Sequence, residues 1–108
     1  MNSNSSRFAG MLGFAMRAGK LIIGTESVCR AMAKGMPKLV LIPADASDAT
    51  KKKITVKSEF YGIPYIVAEI CSADLASLIG KSFAPMAIAV TDSGFAEEIS
   101  KALSETTK

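Results

Sequence analysis

The chain has 108 residues, carries no histidine and no tryptophan, and has a formal net charge of +3. That length suits a single domain able to bury roughly two-thirds of its unfolded surface without a disulfide or a metal. With 49% hydrophobic and 21% charged residues the composition excludes wholesale disorder, and the missing histidine removes the commonest general base and metal ligand.

Residues 1–5 are polar and are expected to be a disordered, frayed N-terminus. From Ser6 a helical period appears, with Phe8, Met11, Leu12, Ala15 and Met16 on one face. Gly10 and Gly13 each weaken a helix by about 1 kcal/mol relative to Ala, so both are expected to admit close packing against a neighbour. Gly19 suits a left-handed cap, with Arg17 and Lys20 at the negative end of the dipole.

Leu21-Ile22-Ile23 reads as a short strand. A second helix starts near Thr25, whose hydroxyl is suited to cap free amides. It is expected to bury Val28, Cys29 and Met32, with Met36 as a further candidate, and to stop at Gly35 ahead of Pro37. Residues 38–42 form an apolar run suited to a central parallel strand. Ser47 or Asp48 caps a third helix that ends near Tyr61-Gly62. Residues 64–68 are the third strand, and Ser72 caps a fourth helix ending at Gly80. Residues 86–90 are the fourth strand, and Asp92 or Ser93 caps a last helix with Phe95, Ile99 and Leu103 on its apolar face.

The order αβαβαβαβα predicts an α/β fold, a three-layer α-β-α sandwich. Its four-stranded sheet is expected to be mostly parallel (mixed), with about five helices around it. Residues 6–108 read as one domain, with no internal repeat, linker or low-complexity segment.

Charge is unevenly spread. Residues 1–60 carry ten Lys/Arg against four Asp/Glu, a net +6, whereas residues 61–108 carry three against six, a net −3. Such asymmetry suggests that one side of the fold faces a polyanion. Cys29 and Cys71 form no C-x-x-C pair and are expected to be small buried hydrophobes. No leader-like segment or apolar run of membrane-spanning length is evident, and the expected location is cytoplasmic, with reduced thiols.

Several motifs fail on inspection. The stretch GFAMRAGK at 13–20 has five residues between its glycines where a phosphate-binding P-loop needs four. Leu21 also stands where the magnesium-binding hydroxyl belongs. No G-x-G-x-x-G follows a strand. Glu97 and Glu98 point about 100° apart on a helix, so they read as a solvated first turn rather than a paired acid and base. No nucleophile has a base nearby. The expectation is a protein that is not an enzyme and needs no cofactor and no metal.

The informative stretch is Gly24-Thr25-Glu26-Ser27-Val28-Cys29-Arg30, running from a strand end into a helix. Such a junction aims free backbone N–H groups outward, and the helix dipole favours phosphate there. Arg30 lies four residues after Glu26 and three after Ser27, so the three share one face. A face bearing acceptor, hydroxyl and guanidinium is able to read base edges. The plainer reading is a surface Glu–Arg pair worth about 0.3–0.5 kcal/mol.

Over nearly its whole length the chain resembles bacterial members of the L-seven-Ae / L-thirty-e ribosomal protein family. The segments that carry the resemblance are LGFAMRAGKLIIGTESV, KGMPKLVLIPADAS with the following TKKKI, YGIPYIV, and AIAVTDSGFA. The resemblance implies an α-β-α sandwich that binds kink-turns, RNA motifs bent sharply at a bulge beside tandem sheared G·A pairs. It also implies that the N-terminus of the second helix enters the groove opened by the kink, which A-form RNA otherwise keeps too narrow to read. The archaeal pattern there is Gly-Thr-Asn-Glu with Lys three residues after the Glu. Gly24 and Thr25 match it, Glu26 stands at the Asn position, Ser27 at the Glu position and Arg30 at the Lys position.

The family receives the flipped-out nucleotide of the bulge in a second loop, whose counterpart here is Gly80-Lys81-Ser82-Phe83. Phe83 is placed either to stack on a base or to fill the core, and Lys81 either to pair with phosphate or to be solvated. Lys34 and Lys51 match backbone- or loop-contacting positions only loosely. The resemblance thus implies a non-enzymatic, single-domain RNA-binding protein whose partner is structured RNA, ribosomal or regulatory, with the ribosome itself as a further candidate partner. The alternatives are a protein–protein adaptor of the same fold, docking on the ribosome or transcription machinery, and an accessory substrate-binding domain like those fused to RNA methyltransferases.

Overall fold

In a computed structural model, residues 3–106 are described, with side chains described over 7–103. Five helices alternate with four strands: α1 (Ser3–Arg17), β1 (Leu21–Ile23), α2 (Thr25–Ala33), β2 (Leu39–Pro43), α3 (Asp48–Tyr61), β3 (Tyr65–Ala68), α4 (Ser72–Ile79), β4 (Ile88–Val90) and α5 (Ser93–Thr106). α1 begins at Ser3, ahead of the onset at Ser6 expected from apolar spacing. The frayed segment expected at 1–5 falls in part on residues 1 and 2, which lie outside those described.

The strand order is β1-β4-β2-β3. β2 and β3 pair in parallel, whereas β4 is antiparallel to both β1 and β2. The sheet is therefore mixed, and only one of its three ladders is parallel. β1, β2 and β3 still run in the same direction, as the alternation of elements predicts, and β4 alone is inserted in the opposite sense. The crossover rule behind that expectation assumes a helix and a short return. Residues 80–87 are instead a long irregular connection that returns the chain to the other end of the sheet.

The sheet divides the core in two. Leu39, Leu41, Ile88 and Val90 face α1, α4 and α5, where Phe8, Leu12, Leu75, Ile79 and Ile99 are buried. Val40, Ile42, Ala87 and Ala89 face α2 and α3, meeting Val28, Met32 and Ile54. This is the period of two that strands impose. Each large side chain buried there stabilises the fold by about 1.5–3 kcal/mol.

Local signals decide the helix ends, with some corrections. Gly62 and Gly80 cap α3 and α4 in the left-handed conformation, at φ 69° and 72°. Ser47 caps α3 by accepting from the Thr50 amide at 3.1 Å. Asp92 does the same for α5, accepting from the Phe95 amide at 2.9 Å. Ser72 does not cap α4: it is the first helical residue, after Cys71, and its own amide and hydroxyl donate to Asp45 at 2.8 and 2.9 Å. Gly10 has open space where a Cβ would stand, so close packing does not explain it, while the corresponding point at Gly13 lies 3.9 Å from the Leu78 carbonyl of α4. Met36 is exposed rather than buried. Cys29 and Cys71 are half-buried free thiols. Glu97 and Glu98 lie beyond the first turn of α5, where Glu98 pairs with Arg7 of α1 at 2.9 Å and Glu97 with Lys101 at 3.4 Å. No helix among the described residues is long and apolar enough to cross a membrane.

Candidate nucleic-acid interface

Because β1, β2 and β3 share a direction, the N-termini of α2, α3 and α4 all follow strand ends on one side of the sheet. β4 starts on that same side, its Ile88 registering with Ile23 and Leu41. The amide of Gly24 donates to the Ala87 carbonyl at 2.9 Å. That bond joins the β1–α2 junction to the end of the 80–87 connection.

Gly24 is the N-cap of α2, at φ 103° and ψ 143°, and no side chain caps the helix. Thr25 is its first helical residue and does not supply the expected hydroxyl cap. The first amides of α2 are left without a side-chain acceptor, at the positive end of the dipole. Beside them, Arg30 Nη2 donates to Ser27 Oγ at 3.3 Å, and Arg30 Nη1 lies 3.9 Å from Glu26 Oε2. Glu26, Ser27 and Arg30 do share one face. The Arg30 and Glu26 side chains are 69% and 85% exposed. Contacts this long on exposed side chains cost little to break, so the guanidinium is available to another acceptor.

Lys81, Ser82 and Phe83 are all exposed, and Phe83 at 54% is not a core residue. Phe83 precedes Ala87 by four residues, which keeps its Cα within about 14 Å of that anchor. The fold thus brings the two predicted segments to one region. Lys51 lies in the first turn of α3, on the same side of the sheet, with its charge acting on Asp45. The Ser72 amide and hydroxyl, bonded to that carboxylate, hold Asp45 below the usual carboxylate range, and Lys51 adds to the effect. Lys34 is different. It is the C-cap of α2, about 14 Å along the helix from Thr25.

Two structural supports of this region escaped sequence reasoning. The Ala87 carbonyl is a backbone group with no side-chain signal. Asp45 sits in a recognisable turn, but its partner Ser72 lies 27 residues away. Among the described residues no group of three or more His, Cys, Asp or Glu is placed to hold a metal ion.

Residues 6–100 match the Ribosomal protein L7Ae/L30e/S12e/Gadd45 family. The chain belongs to that family. It is 42% identical over 89 residues to the RNA-binding protein YlxQ of Bacillus subtilis, covering 82% of this chain and 87% of the relative. With the archaeal large ribosomal subunit protein eL30 of Pyrobaculum neutrophilum it shares 33% identity over 86 residues, 80% of this chain and 85% of the relative. A solved structure from Bacillus halodurans C, described as a protein of unknown function, superposes with a TM-score of 0.85 at 34% identity, covering 91% of this chain and 97% of that one. The Giardia lamblia 15.5kD RNA binding protein has the same fold, with a TM-score of 0.74 at 15% identity over 99% of this chain and 90% of its own. In this L7Ae-family chain the Gly24–Arg30 segment lies well inside the matched residues.

Proposed function

We propose that the chain is a non-enzymatic RNA-binding protein that grips a sharply bent, kink-turn-like RNA in the cytoplasm, ribosomal or regulatory. The observation that carries this reading is the uncapped N-terminus of α2 flanked by the exposed Arg30, Ser27 and Glu26. Free amides there donate to a phosphate. Arg30 reaches guanine O6 and N7 from one turn further along, and Glu26 accepts a base amino or imino proton. Lys81 and Phe83 act from the neighbouring connection, the lysine on phosphate and the ring on an unstacked base.

The names of relatives support the reading, since those from B. subtilis and Enterococcus faecium are called RNA-binding proteins and the archaeal ones are ribosomal subunit proteins. The basic balance of residues 1–60 supports it as well, because neutralising phosphates releases counterions and supplies most of the affinity. The test is a salt titration of binding to a short structured RNA. About five phosphate contacts give a log–log slope of roughly −4. A slope near zero would remove RNA as the ligand.

A further inference from the structure

α3 carries apolar side chains on two sides. Its inner side buries Ile54 and Ser58 against the sheet. On its outer side, Ala49, Lys52, Lys53, Val56 and Phe60 fall within about 100° of helix surface, with Val56 near the centre. All five are exposed. Val56 is 54% and Phe60 78% exposed, four residues apart, where an ordinary surface helix carries polar groups. The Phe60 ring meets Tyr61 edge-on, with centroids 4.9 Å apart. That contact braces the ring and reduces the entropy lost when it is buried.

The two charged residues on this ridge are both basic. Lys52 and Lys53 flank Val56 on the N-terminal side, and neither pairs with an acid among the described residues. The nearest carboxylate on the helix, Glu59, accepts the Tyr65 hydroxyl at 2.8 Å. Phe60 lies about 18 Å along α3 from Asp48, away from the end of the sheet where α2 begins.

We infer that this outer face of α3 docks a partner protein through an acidic segment with apolar side chains, which buries Val56 and Phe60 while its carboxylates meet Lys52 and Lys53. A valine and an alanine in line with a braced phenylalanine give an aliphatic strip, which fits a side-chain interface better than a stack of bases. The apolar part of the face, Val56 and Phe60, lies along α3 away from the proposed RNA end, while Lys52 and Lys53 adjoin Lys51 near the helix start. The inference goes beyond the RNA reading and stands or falls without it.

The test titrates the intact chain, followed by NMR, with three probes. They are a synthetic amphipathic helix with leucines flanked by glutamates, the same helix with lysines for glutamates, and single-stranded oligouridylate. The acidic helix is expected to shift the Val56 methyl and Phe60 ring resonances. Its affinity should fall about tenfold on Phe60→Ala, as for loss of a central aromatic anchor, and similarly on the double change Lys52→Glu and Lys53→Glu. Arg30→Ala should leave it unchanged. Phe60 is exposed enough that its removal leaves the fold intact. Equal binding of the lysine helix, no binding of the acidic one, or shifts confined to other elements would overturn the inference. So would oligouridylate moving the same resonances, which assigns the face to RNA, or concentration-dependent shifts without any probe, which assigns it to a second copy.

Discussion

The Gly24 amide and the Ala87 carbonyl, 2.9 Å apart, extend the β1–β4 ladder one residue beyond Ile23. The bond holds the start of α2 against the end of the 80–87 connection. Two backbone positions 63 residues apart in sequence, Gly24 and Ala87, are thereby joined.

Gly24 is at φ 103° and ψ 143°, a region nearly closed to residues with a Cβ. Nothing lies within 4 Å of where that Cβ would stand. The cost of Gly24→Ala is therefore backbone strain alone, about 1–3 kcal/mol. Denaturant unfolding should show a loss of that size, and RNA affinity should fall with it as the α2 amides turn away. Wild-type stability in the variant would contradict the conformational role.

Arg30 and Lys81 are expected to fail differently. Arg30→Ala should cost about 1–3 kcal/mol on the preferred RNA and relax base preference. Lys81→Ala should weaken all RNAs alike and make the salt slope shallower by about 0.7–0.9. Binding titrations on two RNAs at several salt concentrations separate the outcomes. Identical effects from both variants would refute the assigned roles.

Asp45 stabilises the fold by receiving the Ser72 amide and hydroxyl, which bond its charged form and depress its pKa. Its contribution is present above the unfolded carboxylate value, about 3.9, and is lost as pH falls through the lower folded value. Asp45→Asn should lower Tm at neutral pH and leave it less changed under strongly acid conditions. A Tm difference from wild type that grows as the medium is acidified would contradict this.

The Ser58 hydroxyl is fully buried in α3 and has no hydrogen-bond partner. An unsatisfied buried polar group is costly, so removing it offsets the small void it leaves. Ser58→Ala should leave unfolding free energy unchanged or raise it by up to about 1 kcal/mol. A loss of ~2 kcal/mol or more would reveal a bonded partner such as a buried water.

Much of this architecture is readable in the chain because it is written locally. Gly35, Gly62 and Gly80 stop three helices, and Ser47 and Asp92 start two, through bonds spanning three residues. The sense of β4 is not written locally. It follows from the path of residues 80–87, which carry no periodic signal. The cap on α4 is hidden for a similar reason, since Asp45 comes from the β2–α3 turn. Within the site, the shared face of Glu26, Ser27 and Arg30 follows from helical spacing. The exposure of Phe83 does not, because a phenylalanine in an irregular segment fits a core or a surface equally well. Val56 and Phe60 were equally silent, since an apolar pair four residues apart ordinarily marks the buried side of a helix.

The α2 N-terminus and its neighbouring connection are proposed to recognise a bent RNA. The most direct measurement is a gel-shift titration of the intact chain with a minimal kink-turn hairpin, beside a control hairpin whose sheared G·A pairs are replaced by Watson–Crick pairs. Tight retention of the first hairpin and much weaker retention of the second are expected. Equal affinity for both, or binding of neither, would contradict this.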